Sequence, residues 1–230
     1  MNTLKLSLLT AAATLSMGGA AFAADDTGPS VTFNIGAASD YVFRGASQTD
    51  ENPQIFGGAD VSMGQFYVGT WLSNVDFNDS TDAEIDVYAG FKPTLGAVSL
   101  DLAAIYYGYV DAPSGSDYGY AEFKAAGSVP IGKGSLGAAV YYSPDFFGSV
   151  DEAVYYEVNG SIGLAEKFTI SGALGRQELK GPGDYTTWNV GVGYALNDHI
   201  GIDVRYHDTG AHEFGKLYDS RGVVSLKATF

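Results

Sequence analysis

The last ten residues are Arg221-Gly222-Val223-Val224-Ser225-Leu226-Lys227-Ala228-Thr229-Phe230. Counting back from Phe230, every second residue is apolar or small, and the residues between them are mostly polar. A period of two indicates a β-strand with one face in an apolar medium and the other in water. The segment therefore predicts a strand whose two faces meet different environments, and which stops on an aromatic residue.

The first residues have the form of a secretory leader. Lys5 supplies a positive charge, an apolar run follows over residues 6–15, and Ala21-Phe22-Ala23 has the small-x-small form of a cleavage site. The run is shorter than the roughly 20 apolar residues that a membrane-spanning helix needs. The sequence predicts a cleaved signal peptide at 1–23, a short lead at 24–30 and a single domain at 31–230.

The composition excludes several classes of function. A net charge of −15 disfavours nucleic acid, whose phosphates require a basic surface. There is no cysteine, and so no disulfide framework, thiol nucleophile or thiolate metal site. Mean hydropathy is near zero, at +0.01, but the strands of a membrane barrel hide their apolar residues at alternate positions. The 31 glycines, 16 tyrosines and 13 phenylalanines suit a crowded barrel wall with aromatic girdles.

Alternation recurs along the whole domain. In one clear case Ile85, Val87 and Ala89 alternate with Glu84 and Asp86. Twelve strands are predicted, at 31–44, 53–62, 65–75, 83–93, 98–110, 118–129, 134–143, 153–165, 168–178, 185–196, 199–208 and 221–230.

The joints between these strands differ by parity. Even-numbered joints, such as Met63-Gly64 and Asn197-Asp198, are short, whereas odd-numbered joints, such as 45–52 and 209–220, are longer and acidic. Outer-membrane barrels have short periplasmic turns and longer outer loops. The sequence therefore predicts an all-β fold, a closed antiparallel transmembrane β-barrel of about twelve strands, with ten or fourteen also acceptable. A secreted β-sandwich or lipocalin-like barrel is the alternative, since its strands also alternate.

If the apolar set faces lipid, the charged set faces the lumen. This set contains eight acids and six bases besides one histidine, and a mildly negative interior follows. Asp40 and Arg44 have the same parity on predicted strand one, and we expect an ion-pair ladder there, with Gly45 opening the first loop. The candidate lumen-lining residues are Asp40, Arg44, Asp60, Glu84, Asp86, Lys92, Asp101, Glu122, Lys124, Glu157, Asp203, Arg205, His207, Arg221 and Lys227.

The lumen charges leave two interpretations open, because buried charges must either pair or meet water. Twelve strands give a wider interior than eight, which favours a water-filled channel. A polar, cross-linked interior that only holds the barrel together is the competing interpretation. The acidic loops predict either a cation-attracting vestibule or ordinary solvated loops.

Catalysis and metal binding have weak signals. The histidines are His199, His207 and His212, and Asp208 with His212 has the types needed for a base unit. Gly-x-Ser-x-Gly and His-Glu-x-x-His motifs are absent from the sequence. The tyrosine pairs Tyr106-Tyr107 and Tyr155-Tyr156 are assigned to the girdle. No catalytic residue, metal or cofactor is predicted, and a barrel hydrolase remains a third alternative.

Two segments resemble known families. The terminal Phe230 resembles the membrane-insertion signal of bacterial outer-membrane barrels. The segment Ser39-Asp40-Tyr41-Val42-Phe43-Arg44-Gly45, followed by Gly57-Gly58-Ala59-Asp60, resembles the opening motif of the TorF-type porin family, also described as the Gcw-chp conserved family. The resemblance covers residues 31–230 and implies an outer-membrane porin.

The sequence thus predicts a porin of the bacterial outer membrane that passes small hydrophilic solutes or ions, with mild cation preference. A closed structural or adhesive barrel is the alternative. The expected partners are outer-membrane lipid and lipopolysaccharide, the barrel assembly machinery and the solutes, with a homo-oligomer allowed and no nucleic acid.

Overall fold

The computed structural model describes residues 28–148 and 150–230. The predicted signal peptide at 1–23 and most of the lead at 24–30 lie outside the described residues. We number the barrel strands of the described part β1 (Ser30–Ala38), β2 (Gln54–Met63), β3 (Phe66–Asn74), β4 (Ala83–Phe91), β5 (Val98–Val110), β6 (Tyr120–Ile131), β7 (Gly134–Ser143), β8 (Ala153–Ala165), β9 (Phe168–Leu179), β10 (Tyr185–Ala195), β11 (Ile200–Thr209) and β12 (Arg221–Thr229). Among the described residues, no helix has the length and apolar character to span a membrane.

These twelve strands form one closed antiparallel sheet. Each strand pairs with its neighbours in sequence, and β1 also pairs with β12, so that Asn34 lies opposite Thr229. At the end of this seam Phe33 and Phe230 exchange two backbone hydrogen bonds of 3.0 and 2.9 Å. Closure leaves neither edge of the sheet unpaired, which a barrel in lipid requires. The prediction of a closed twelve-stranded barrel is confirmed.

Eleven of the predicted strands begin and end within two residues of the observed ones. The exception is the first, which was predicted to run to residue 44 but ends at Ala38. Its partner β2 begins opposite, because Ala38 pairs with Gln54. Residues 39–53 therefore leave the wall, and within them Val42–Phe43 pairs with Ala46–Ser47 in a separate two-stranded hairpin.

The connections are sorted by parity, as predicted. One end of the barrel is where β1 begins and β12 ends. The connections at this end are short turns, at 64–65, 92–97, 132–133, 166–167 and 196–199. Longer connections at 39–53, 75–82, 111–119, 144–152, 180–184 and 210–220 lie at the other end. We call these the short-turn end and the loop end.

The outer face of the wall is apolar. On β1, Val31, Phe33 and Ile35 are 53–57% exposed and alternate with half-buried polar residues. Aromatic residues also meet on the wall near each end, with Phe66 on Phe91 at the short-turn end and Trp188 on Tyr206 toward the loop end. The polar set points inward. The distribution of polar and apolar side chains is therefore opposite to that of a protein folded in water.

Candidate functional site

The first long connection, residues 39–53, folds into the barrel instead of covering its mouth. We call it the inner hairpin. Its tip is formed by Arg44 and Gly45, with φ of +47° and +86°, the two positive values that a tight two-residue hairpin turn requires. A side chain at Gly45 would lie 2.4 Å from Thr187 Oγ1 and 2.5 Å from Thr209 Cγ2. Glycine is therefore needed both for the turn and for its close approach to the wall.

The base of the inner hairpin is fastened through Asp40. Its carboxylate accepts hydrogen bonds from Ser47 Oγ at 2.7 Å and Thr49 Oγ1 at 2.8 Å. The second carboxylate oxygen accepts one from Arg221 Nη1 at 2.8 Å. Since Arg221 is the first residue of β12, this ion pair joins the hairpin to the strand that closes the barrel.

The tip is fastened on the opposite side by Arg44. Its guanidinium donates to both carboxylate oxygens of Glu122 at 2.8 Å and to Gln177 Oε1 at 3.1 Å. The Arg44 and Glu122 side chains are 6% and 1% exposed. Three ring centroids lie 4.7, 5.0 and 4.4 Å from the guanidinium carbon, in Phe43, Tyr141 and Tyr155. A buried, bidentate pair of this kind is among the strongest polar contacts in proteins.

The predicted ladder between Asp40 and Arg44 is wrong. Both side chains are inside the barrel, but neither lies on a barrel strand, and each pairs with a different residue of the wall. The physical reason is that β1 ends at Ala38 and the chain then turns inward, which alternation alone does not register.

One side of the inner hairpin faces β4 and β6, which carry Glu84, Asp86 and Glu122. We call this region the acidic chamber. Tyr41 of the hairpin donates to Glu84 at 2.7 Å. Asp86 is completely buried, and neither of its carboxylate oxygens has a hydrogen-bond partner among the described residues. With Glu122, which pairs with Arg44, these are three carboxyl side chains on the inner side of β4 and β6.

Aromatic side chains fill the space between these acids. Tyr107 stacks on Tyr120 with centroids 4.4 Å apart, and Tyr41 packs against Trp71 at 5.3 Å. Tyr107 also donates to Glu122 at 3.1 Å. The prediction that placed both members of each tyrosine pair in the girdle is therefore half wrong. Tyr106 and Tyr156 face outward, whereas Tyr107 and Tyr155 are 3% exposed and face the interior.

A second charged network crosses from β11 to β9 and β10. Arg205 donates to both oxygens of Asp203 at 3.0 Å, to Asn189 Oδ1 at 2.6 Å and to Ser171 Oγ at 2.7 Å. Arg205 and Asp203 are 2% and 8% exposed at their side chains. The network cross-links three neighbouring strands through the interior.

Toward the short-turn end, polar side chains pair across the interior. Lys124 pairs with Asp101 at 2.8 Å, and Tyr88 donates to Asp60 at 2.7 Å. Lys92 lies just after β4, with its ammonium 4.3 Å from the ring centroid of Tyr67.

The remaining predicted lumen residues lie on strands at inward positions. Glu157 accepts from Asn159 at 2.8 Å, His207 is buried, and Lys227 is exposed. The structure thus brings the candidate set to the inner side of the wall or into the inner hairpin. Their role in a channel remains a prediction. Gln177, Tyr141 and Trp71 also face the interior, and sequence reasoning missed them. Each lies an even number of positions from a polar residue on its own strand, which is the signal that could have identified it.

The loop end is covered by contacts between loops. Phe147 of the fourth loop stacks on Tyr118 of the third with centroids 4.5 Å apart, and Phe77 of the second contacts both. Across the mouth, Lys216 of the last loop pairs with Asp50 of the inner hairpin. The outer loops and the inner hairpin are therefore parts of one assembly at this end.

The anticipated His212 and Asp208 pairing is present but exposed. Their Nε2 and Oδ1 atoms are 2.8 Å apart, and this hydrogen bond raises the pKa of His212 above its usual value. Within residues 28–148 and 150–230, no group of three or more His, Cys, Asp or Glu side chains has the arrangement to hold a metal ion. The pair stabilises a loop, and the described contacts assign it no nucleophile to activate.

The fold and interior define a class of protein: a closed twelve-stranded barrel with an apolar outside, a charged inside and one long loop folded into the lumen. The family model described as a bacterial protein of unknown function, Gcw_chp, matches residues 23–230. The chain belongs to this family. Among curated proteins, none matches the sequence.

Solved structures of outer-membrane proteins have a similar fold. The KdgM porin has a TM-score of 0.62 at 10% identity, over 86% of this chain and 99% of that one. The NanC porin has a TM-score of 0.57 at 10% identity, over 87% and 99%. The COG4313 outer membrane channel from Pseudomonas putida F1 has a TM-score of 0.51 at 10% identity, over 90% and 96%. At such identities the likeness concerns the fold.

Proposed function

We propose that this chain is a porin of the bacterial outer membrane, of the TorF type. It would allow passive diffusion of small hydrophilic solutes or ions, with mild cation preference. One observation carries the proposal: the barrel wall is continuous, and what fills its charged interior is a loop. This loop is held to the wall by side-chain contacts and is not one of the barrel strands. A loop can move without breaking the backbone pairing of the barrel, and so the obstruction is compatible with passage.

The outside of the wall supports the membrane location. Apolar residues that are a third or more exposed to water occur on each barrel strand, and lipid is the environment in which their exposure is favourable. Phe230 is 67% exposed at the short-turn end, where we propose that it faces the periplasmic interface and acts as the membrane-insertion signal. Outer-membrane lipid, lipopolysaccharide and the barrel assembly machinery are the partners that follow from this location.

The acidic chamber supports the cation preference. Glu84, Asp86 and Glu122 lie on the inner side of two strands, and Glu122 is the one that pairs with Arg44. We propose that Glu84 and Asp86 are ionised when the inner hairpin moves and water enters the interior. A constriction lined with carboxylates attracts cations and repels anions. One structure of the KdgM porin is a complex with disordered oligogalacturonate. The charges of this chain lead us to propose cationic and neutral solutes instead.

A closed barrel is the competing function, and a specific observation favours it. The inner hairpin reaches from β12 to Glu122 and Gln177 on the other side of the lumen, and the loops above it are packed together. If these contacts persist in the membrane, the barrel is structural or adhesive and passes no ions.

Recordings from planar bilayers distinguish the two functions. For the folded wild-type protein in a salt gradient, we expect discrete conductance steps and a reversal potential of the sign that marks cation preference. The double variant Glu84→Gln/Asp86→Asn should keep the steps and lose most of the preference, because it neutralises two chamber acids. Asp151→Asn, which removes an exposed loop acid, is the matched control and should change neither. Silent bilayers from correctly folded protein would establish the closed barrel.

A further inference from the structure

We propose that the pocket around Glu122 is a binding site for guanidinium groups, which Arg44 occupies in the resting protein. Solutes that carry a guanidinium group would exchange with Arg44 and release the tip of the inner hairpin. The inference deepens the proposed function, since it names a solute class for the same interior, and it rests on that function for its physiological meaning. Its test does not require conductance.

The polar contacts of the pocket fit a planar, delocalised cation. Glu122 receives two parallel hydrogen bonds of 2.8 Å from the two terminal nitrogens of Arg44, and Gln177 receives a third of 3.1 Å. Two carboxylate oxygens facing two coplanar nitrogens are the fork geometry that distinguishes a guanidinium from an ammonium ion. Glu122 and Gln177 are 1% and 2% exposed and belong to strands β6 and β9, so the wall of the barrel supplies the acceptor side of the pocket.

The aromatic contacts add to this selectivity. The rings of Tyr141 and Tyr155 belong to β7 and β8, and their centroids lie 5.0 and 4.4 Å from the guanidinium carbon. Cation–π contacts at this range favour a weakly hydrated, flat cation. Because both rings and both polar receptors belong to the wall, they remain in place when the inner hairpin is withdrawn. The Phe43 ring belongs to the inner hairpin and would move out of the pocket together with Arg44.

Exchange conserves the charge of the pocket. Withdrawal of Arg44 alone would leave a buried Glu122 without its counter-charge, which is strongly unfavourable. Arrival of a second guanidinium restores the same pair. The hairpin stays attached at its base through Asp40 and Arg221, so the exchange moves its tip while the barrel stays closed. Arg44 competes as a tethered ligand, at an effective concentration on the order of millimolar or higher.

The first test uses Arg44→Ala, which empties the pocket. Guanidinium chloride at low millimolar concentrations should raise the unfolding temperature of this variant, because a four-atom cation in a buried fork supports binding in about the millimolar range. Sodium and ammonium chloride at equal concentrations should give no such rise. Arg44→Ala/Glu122→Gln, which leaves no unpaired charge in the pocket, should show no response to guanidinium. Equal responses to all three salts, or none to guanidinium, would overturn the proposal.

The second test examines exchange in an otherwise wild-type protein. The chain lacks cysteine, so Ala46→Cys places a single thiol next to the tip of the inner hairpin, at a position that is 7% exposed. Agmatine, a guanidinium-bearing amine, should accelerate its labelling by a polar thiol reagent several-fold, whereas putrescine, the matching diamine without that group, should not. Stabilisation of Arg44→Ala without faster labelling would overturn the exchange. Neither readout depends on conductance, so failure of the porin function would be seen separately.

Discussion

Replacing residues 39–53 with a four-residue turn that has Asn-Gly at its centre is expected to raise single-channel conductance several-fold. The wall should survive the change, because β1 and β2 already pair up to Ala38 and Gln54, at the point where a short turn would join them. Removal of the inner hairpin takes its backbone and the Tyr41 and Arg44 side chains out of the lumen. Ion flow through the barrel should then be limited by the wall alone.

The same variant should also become more cation-selective. Arg44 is the base that offsets Glu122, and its loss leaves that carboxylate in contact with water beside Glu84 and Asp86. The matched control shortens the exposed turn at 180–183, which lies at the same end of the barrel and outside the lumen. We expect wild-type conductance from the control. A hairpin-free protein with wild-type conductance and selectivity would show that residues 39–53 do not limit the passage.

Arg205→Gln is expected to destabilise the barrel by about 3–5 kcal/mol of unfolding free energy. The guanidinium binds Asp203, Asn189 and Ser171 at once, and the amide leaves a buried carboxylate without its counter-charge. Urea unfolding of the protein in lipid vesicles measures the loss.

Two further variants establish that the loss comes from burial of a charge. Arg176→Gln breaks an ion pair with Asp184 whose side chains are 43% and 40% exposed, and should cost within about 0.5 kcal/mol. Asp203→Asn/Arg205→Gln removes both charges and should be more stable than Arg205→Gln alone. If the single and double variants were equally unstable, packing and not charge would explain the effect.

The barrel could be predicted from sequence because its signal is local and repeated. Alternation is clear on β8, where it gives both the strand bounds and the facing of the residues, and this strand has its predicted limits. The sorting of short and long connections then fixes the topology. Each of these inferences needs only neighbouring residues, and many strands repeat the same evidence.

The inner hairpin could not be predicted in this way. Tyr41, Val42 and Phe43 favour a strand and follow β1 after only two polar residues, so strand propensity extends the first strand through the point at which it ends. What turns the chain inward is a set of contacts made far away in sequence, to Glu122, Gln177 and Arg221. Sequence parity assigns Glu122 and Arg221 to the inner face, but it does not say which charge pairs with which.

The labelling rate of a single cysteine in the inner hairpin tests the central claim most directly, namely that residues 39–53 lie folded inside the barrel. Ser47→Cys puts the thiol at a position that is 3% exposed, and Ser80→Cys puts it on an exposed loop at the same end. In folded protein in lipid, a polar thiol reagent should modify Ser47→Cys about tenfold or more slowly than Ser80→Cys, and equally fast after unfolding in urea. Equal rates in the folded state would contradict the inward fold of the hairpin.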